Sequence, residues 1–183
     1  MADTFLSPQG DYSDIASFCG VKGSAGGGLA TDNFVRAVAA AVAAVRTRCG
    51  PVLLEEGLSF RVRAATHTAM LPYRVAAVTA VVPADGSTMD AATLDPDGQL
   101  VARTDGLPVP VCTLTYSSGW AHGDIPADLV AAGFELARHL WRTQLGNQRA
   151  GGDPGEAPGS AWLWPRQAES LAAPYALAPL GFA

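Results

Sequence analysis

The sequence predicts an α+β fold: a small helical bundle of two long helices plus short N- and C-terminal helices, with an antiparallel β insert. Apolar residues recur at helical spacing in residues 31–49 and 123–147, whereas the stretch between them alternates apolar and polar residues. No helix-length crossover separates the alternating segments, so we expect antiparallel pairing. We predict a single domain, 1–183, divided into N-terminal helices at 11–50, the β insert at 51–120, the long helix at 123–147, a flexible linker at 148–161 and a C-terminal arm at 162–183.

The predicted helix at 123–147 is apolar around more than half of its girth. Pro126 suits its first turn, and Gly146 with Asn147 favours a left-handed end. Its polar face is short, with Glu135 placed to pair with Arg138 and His139. Two apolar stripes run beside each other, one of Val130, Phe134, Ala137, Trp141 and Leu145 and the other of Leu129, Gly133, Leu136 and Leu140. We therefore expect the helix to be covered on at least two sides, by its own domain, a neighbouring subunit, or both.

A second long helix is predicted to start at the N-cap Thr31 and to stop at residues 49–51 (Cys-Gly-Pro). Its opposite face is almost all alanine, which allows close approach by a neighbouring helix or subunit. A short helix is predicted at about residues 12–19, ended by Gly20. Residues 1–9 show no periodicity and are expected to form an arm that is either loose or ordered on contact. The apolar face of the second long helix consists of Phe34, Val38, Ala41, Val42 and Val45.

Three strands are predicted in the β insert, at residues 60–63, 74–82 and 109–116. Asp/Gly turn signals separate the apolar runs, at residues 83–86, 95–98 and 105–108. Short strands joined by tight turns are typical of an antiparallel sheet.

Composition excludes several classes of protein. The chain has 183 residues, 49% of them hydrophobic, and a net charge of −5 with scattered basic residues, which argues against a nucleic-acid-gripping surface. Cys19, Cys49 and Cys112 have no ligand-like spacing, so we expect buried free thiols. Since no signal pattern and no apolar run of about 20 residues occurs, we expect a soluble protein made in the cytoplasm, with no membrane contact.

No catalytic, cofactor or metal site is predicted. The histidines His67, His122 and His139 are far apart, and none has a second ligand at helical spacing. Ser117 and Ser118 lie near His122, but no nucleophile elbow is present, and a surface turn leading into the long helix is the better interpretation.

Other polar segments are also interpreted structurally. Residues 55–56 (Glu-Glu), Asp85 and Asp90 are expected in hydrophilic turns. His139 is expected to be a surface partner of Glu135. The glycine stretch at 23–28 lacks phosphate-loop spacing and is expected to be a flexible connection.

The C-terminal arm carries aromatic residues that need a place to be buried. Residues 148–161 are rich in Gly, Pro and Ala and form a predicted tether, beyond which Pro165 begins a short helix. Either the arm contacts a partner, through Trp162, Trp164, Arg166 and Tyr175, or it folds back onto its own long helix. The two alternatives are compatible with each other.

Four sequence segments stand out by their order and spacing. They are TLTYSSGW at 113–120 passing into IPADL at 125–129, ARHLW at 137–141, WPR at 164–166 and LAAPY at 171–175. Together these segments resemble the head-to-tail connector, or adaptor, proteins of long-tailed phages, most of all those of phages that infect actinobacteria. The resemblance covers roughly residues 11–178. Two departures are the glycine stretch at 23–28 and the linker at 148–161, which are longer than the family pattern.

The resemblance implies a structural virion protein rather than an enzyme. Such a protein, made in the host cytoplasm, forms a dodecameric ring under the portal vertex, extends the DNA channel without binding DNA specifically, and presents a platform for the next neck or tail protein. The resemblance then implies a subunit seam at Phe134 and Trp141, and portal or neighbour contacts at Trp162, Trp164, Arg166 and Tyr175. The alternatives are another neck component, a head-closure or tail-terminator protein, or a small-ligand-binding protein or enzyme.

Overall fold

The computed structural model describes residues 4–7, 11–21, 29–145 and 164–178. The predicted linker at 148–161, the glycine stretch at 23–28, Trp162 and residues 146–147 lie outside these ranges. Its helices are α1 (Ser13–Cys19), α2 (Leu29–Cys49), α3 (Ala127–Leu140) and α4 (Arg166–Ala172). Its strands are β1 (Glu55–Val62), β2 (Thr68–Met70), β3 (Ala77–Pro83), β4 (Leu94–Asp97), β5 (Leu100–Arg103) and β6 (Cys112–Ser118). The predicted α+β class is confirmed.

The chain divides into two compact units. The first contains residues 1–47 and 125–175, and the second contains residues 48–124 and 176–183. The helical elements of the first unit and the sheets of the second are described separately below.

The core of the helical unit is made by one apolar stripe from each helix. In α2 the predicted residues Phe34, Val38, Ala41 and Val45 are all buried, and Ala37 joins them. The buried residues of α3 are Leu129, Ala132, Gly133, Leu136, Ala137 and Leu140. Helix α1 buries Ile15 and Cys19 and ends at Gly20, whose left-handed conformation (φ 71°) closes the helix as predicted.

Helix α3 begins at Ala127, later than the predicted start at Gly123. Pro126 has extended backbone angles and its carbonyl accepts the first helical hydrogen bond, from Leu129 N–H at 3.0 Å. The residues before it, His122–Asp124, form a separate 3₁₀ turn. The helix continues past Leu140 as a π-helical turn, Trp141–Leu145.

The N-terminal residues 4–7 pack against α3. Phe5 and Leu6 are 5% and 2% exposed, so of the two alternatives predicted for the N-terminal arm, residues 4–7 show the one ordered by contact. Gly133 makes room for them, because a Cβ at this position would lie 2.6 Å from Leu6 Cδ2 and 3.1 Å from Phe5 Cε2. A short apolar pair is therefore enough to order this segment, which periodicity does not reveal.

The second unit contains two three-stranded sheets, with strand orders β1-β6-β3 and β2-β5-β4. All pairs between named strands are antiparallel, as predicted. Strand β6 is central and pairs Leu114 with Phe60 of β1 and with Val81 of β3. Strands from both sheets share one core of Val62, Ala69, Leu71, Leu94, Val101, Val109, Cys112, Leu114 and Tyr116.

Two sequence interpretations in this unit are wrong. Glu55 and Glu56 lie in β1, beside a β-bulge at Gly57 (φ 72°), and not in a turn. Ser117 and Ser118 are the last residues of β6 and are 7% and 1% exposed, so they do not form a surface turn. The turn begins one residue later, at Gly119 (φ 99°).

Candidate functional site

The α1/α3 surface carries an aromatic pair with charged neighbours. The rings of Phe18 and Phe134 are 5.4 Å apart and tilted by 55°, and the Arg138 guanidinium lies 4.8 Å above the Phe18 ring. Glu135 holds Arg138 in an ion pair. Phe18 nevertheless remains 39% exposed. Helix α1 thus covers only part of the apolar surface of α3.

Exposed acidic residues lie near the aromatic pair along both helices. Asp14 precedes Phe18 by one helical turn, whereas Asp128 lies six residues before Phe134, about 120° around α3 from it. Asp14, Asp128 and Ala131 are all exposed.

Trp141 packs at the other end of α3, against α2. Its ring meets the buried Phe34 ring edge-on, with centroids 5.6 Å apart and planes at 88°. Trp141 stays half-buried, as does Phe134. Both predicted seam residues therefore have one partner inside their own unit and some surface left for another.

Helix α2 presents an exposed face of small residues between two arginines. Ala39, Ala40 and Ala43 are exposed, with Arg36 one turn before them and Arg46 one turn after. Asp32 and Thr47 are exposed at the ends of the same stripe. We call Arg36, Ala39, Ala40, Ala43 and Arg46 the basic alanine face.

The described part of the C-terminal arm folds back on α3. Helix α4 packs against α3 and buries Ala168 and Ala172 completely. Trp164 and Tyr175 are half-buried, while Arg166 is exposed. The arm is thus a structural part of the helical unit, and its Arg166 side chain is available at the surface.

Two residues beyond α4 are fixed in the second unit. Leu177 N–H donates to the Arg48 carbonyl at 2.9 Å, and Ala178 N–H donates to Gln99 Oε1 at 2.6 Å. Gln99 Nε2 in turn donates to the Leu71 carbonyl at 3.0 Å. Sequence reasoning missed Gln99, because a single amide in a turn has no signal that separates this role from solvation.

The histidines do not form a common site. His67 and His122 are exposed, and His122 lies in the 3₁₀ turn before α3. The predicted pairing of Glu135 with His139 is wrong, since Glu135 pairs with Arg138 and the buried His139 Nε2 has no hydrogen-bond partner within the described residues. Among the described residues, no group of three or more His, Cys, Asp or Glu side chains is placed to hold a metal ion.

The three cysteines are buried free thiols, as predicted. Burial raises the pKa of the Cys19 thiol to about 11, and it also raises the pKa values of Cys49 and Cys112. High thiol pKa values disfavour the nucleophilic thiolate. These side chains are suited to packing.

One open cleft of about 270 Å³ lies in the second unit. Among the described residues that line the cleft, Arg74 is the only charged one and Trp120 the only aromatic one, and the others are Val75, Ala76, Gly98 and Gly119. These lining residues include no acid–base pair.

The fold matches those of known particle proteins. No protein-family model matches the sequence, and no curated protein matches it. Solved structures do match: a chain of the virion of a native gene transfer agent particle (TM-score 0.59), a chain of the neck of an empty gene transfer agent particle computed with C6 symmetry (0.57), and a chain of the neck of the native particle computed with C12 symmetry (0.55).

Each match is 20% identical and covers 100% of this chain and 96% of the other. Within the described residues, no helix is long and apolar enough to cross a membrane.

Proposed function

We propose that this chain is a structural protein of a phage-like particle neck, a connector that joins the portal vertex of the capsid to the tail. The single observation that carries the proposal is the full-length fold match to chains of gene transfer agent necks and virions. The sequence resemblance to head-to-tail connectors supports it independently. The protein would be assembled in the host cytoplasm and reside in the virion.

The proposal includes a ring of identical subunits, with twelve as the expected number. The matching necks were computed with C6 and C12 symmetry, and cyclic symmetry is built from head-to-tail contacts between copies. The half-buried Phe134 and Trp141 are proposed as part of the subunit seam. DNA would pass through the ring, and the net charge of −5 suits passage without adhesion.

Mass measurement tests the ring. The purified protein is examined by native mass spectrometry, alone and mixed with the portal protein of the same particle. We expect a closed oligomer, of about twelve copies, in one or both samples. A monomer in both samples, from protein that is folded by circular dichroism, would contradict the proposal.

The arm is proposed to contact the portal or an adjacent subunit through Trp162, Trp164, Arg166 and Tyr175. Since α4 also buries Ala168 and Ala172, removing the arm would disturb the fold, and point variants are the sharper test. We expect Arg166→Glu to weaken portal attachment, whereas Gln167→Glu on the same helix leaves it unchanged. Equal attachment of both variants and the parent would contradict a role for Arg166.

The turn after β3 is proposed to face the channel or the next neck ring. Residues 84–88 are exposed, and Asp85 Oδ1 accepts hydrogen bonds from Ser87 N–H at 2.9 Å and Ser87 Oγ at 2.7 Å, which orders the turn. A gold label on a Thr88→Cys variant would locate it, because the three native thiols are buried. A label on the outer rim of the ring would contradict the placement.

The nearest rival is another neck component, a head-closure or tail-terminator protein. Two long helices favour a connector, since those rivals are expected to consist mainly of β-barrel. Order of attachment separates them: a connector binds portal rings directly, whereas the rivals bind only after the connector is present.

A further inference from the structure

Strand β3 is an edge of its sheet and carries no charged residue. Within the described residues it pairs only with β6, in the order β1-β6-β3. All residues of Ala77–Pro83 are uncharged, and Val82 is 63% exposed. The 3₁₀ turn Ala91–Thr93 lies beside β3 but makes no backbone hydrogen bond to it in the described part of the chain. Such an edge can accept a further strand, because charged side chains are one of the usual protections against edge pairing.

The backbone of β3 offers hydrogen-bonding groups on its outer side. Ala84 N–H donates to the Val111 carbonyl, next to β6, at 2.8 Å. Since backbone groups alternate in direction along a strand, Val82 also bonds toward β6, whereas Val81 and Pro83 direct their groups away from it. Proline has no N–H, as is usual for a proline at a sheet edge. The outer side therefore presents the Val81 N–H and the carbonyls of Val81 and Pro83 for a short ladder.

Strand β1 is the opposite edge of the same sheet. By the same alternation along β6, Leu114 bonds to Phe60, so Arg61 directs its backbone groups outward. Thr113 pairs with both Arg61 and Val82, so these three residues lie in one row across the sheet. Their side chains point away from the core, which contains the adjacent Leu114. Arg61 and Val82 are both exposed on this outer face.

A second copy of the chain provides a strand that fits the β3 edge. Contacts that repeat around a ring join two different surfaces of one subunit, and β1 and β3 are two different edges of one sheet. Both strands run antiparallel to β6 and hence parallel to each other. A rotation about an axis along the strands therefore places β3 beside β1 of the next copy, with the same direction, level and outward face.

We propose that β3 of one copy pairs in parallel with β1 of the next copy, so that the sheet continues from subunit to subunit. In this arrangement Val81 N–H donates to the Ser59 carbonyl of the next copy, and the Val81 carbonyl accepts from Arg61 N–H of the next copy. On the outer face, Val82 lies beside the Arg61 side chain of the next copy. This inference rests on the proposed ring and names two strands that close it.

Cysteine cross-linking tests the strand pair in the full-length protein. A variant with Arg61→Cys and Val82→Cys is oxidised under the conditions in which the parent forms rings, and the three native thiols are buried. Within one chain β6 separates the two new cysteines by about 10 Å, which is beyond the reach of a disulfide. We expect covalent oligomers up to the size of the ring on a denaturing gel. Either substitution alone should give nothing larger than a dimer, because each chain then has one reactive thiol.

Charge at position 82 provides a second test with a matched control. Val82→Arg and Val82→Glu remove the same exposed side chain, but only the arginine repels Arg61 of the next copy. We expect Val82→Arg to need about tenfold more protein for half-assembly than Val82→Glu. Adding Arg61→Glu to Val82→Arg should restore assembly to the level of Val82→Glu, since opposite charges are again adjacent. Thermal melts of each variant check that it is folded.

The outcomes separate this inference from the proposed function. If the parent and the double-cysteine variant form rings but oxidation gives no covalent oligomers beyond a dimer, the strand pair is overturned and the ring remains. Equal assembly of Val82→Arg and Val82→Glu would overturn the strand pair as well. A parent that never forms a ring, alone or with portal protein, would overturn the proposed function and the strand pair with it.

Discussion

Gly119 is held where no other residue fits well. Its φ of 99° is unfavourable for L side chains, and an added Cβ would lie 2.7 Å from the carbonyl carbon of Leu53. Trp120 N–H donates to the Val52 carbonyl and Leu54 N–H donates to the Trp120 carbonyl, both at 2.9 Å, so the two backbones cannot separate without losing hydrogen bonds.

We expect Gly119→Ala to lower the free energy of unfolding by at least about 3 kcal/mol, as backbone strain and a backbone clash combine. Gly57→Ala is the matched control, because Gly57 has a φ of 72° but nothing within 4 Å of its added Cβ. That control should cost about 1 kcal/mol. Urea unfolding of the parent and the two variants measures the loss of unfolding free energy in each variant. Equal losses in the two variants would show that the clash with Leu53 is relieved.

The Cys19 thiol predicts how stability changes at high pH. Its pKa is raised from 9.0 to about 11 by burial, so between these values the unfolded chain loses a proton that the folded chain keeps. Stability is therefore full below pH 9 and falls as pH rises through 11.

We expect Cys19→Ser to make this fall shallower without abolishing it, because Cys49, Cys112 and Tyr116 also have raised pKa values. Thermal melts at pH 7 to 11 provide the measurement. If the melting temperature falls with pH by the same amount in the parent and the variant, Cys19 does not titrate with unfolding.

At the scale of elements, the helices and the longer strands were predictable, whereas the shortest strands were not. Helices α2 and α3 each repeat an apolar stripe over several turns, and β6 alternates buried and half-buried residues from Cys112 to Tyr116. Strands β2, β4 and β5 have three or four residues, too few to show a period, and β4 runs through the predicted turn at 95–98. These short strands form because a neighbouring strand pairs with each of them. The local sequence pattern does not show this pairing.

Strand β6 is the element on which the β1-β6-β3 sheet depends, since it pairs with both neighbours. We expect Leu114→Ala to cost about 3 kcal/mol, because Leu114 is fully buried between β1 and β3. Thr113→Ala, one residue earlier on the opposite face, should cost less than about 1 kcal/mol. Chemical denaturation measures the unfolding free energy of the two variants. Similar losses in both would mean that the two faces of β6 are equally packed.

At the scale of the whole molecule, the sequence predicted helices, then strands, then helices, but not the contacts made by residues 4–7 and 177–178. Phe5 and Leu6 fill space beside Gly133, and Leu177 bonds to the Arg48 carbonyl. The partly uncovered faces of the helices were visible in the sequence, as excess apolar residues around α3 and as alanine on α2. The Phe18–Phe134 stack was not visible in the sequence, because it depends on how α1 crosses α3.

We expect deletion of residues 162–183 to lower the melting temperature by several degrees, since about 2–4 °C is lost per kcal/mol at this length and the deletion removes α4. Arg166→Glu should melt like the parent, because its side chain is exposed. Differential scanning calorimetry tests this, and an unchanged melting temperature after deletion would mean that α4 adds nothing to the helical unit.

The division of the chain into two units also decides which unit can fold first during synthesis. Residues 48–124 form a continuous stretch that leaves the ribosome before α3 and α4 are made, whereas the helical unit is interrupted by that stretch. The nascent sheets can therefore close while α1 and α2 still lack α3. During this interval Phe34 of α2 lacks its contact with Trp141, so a chaperone that binds exposed apolar helices would find its target before residues 127–141 are made.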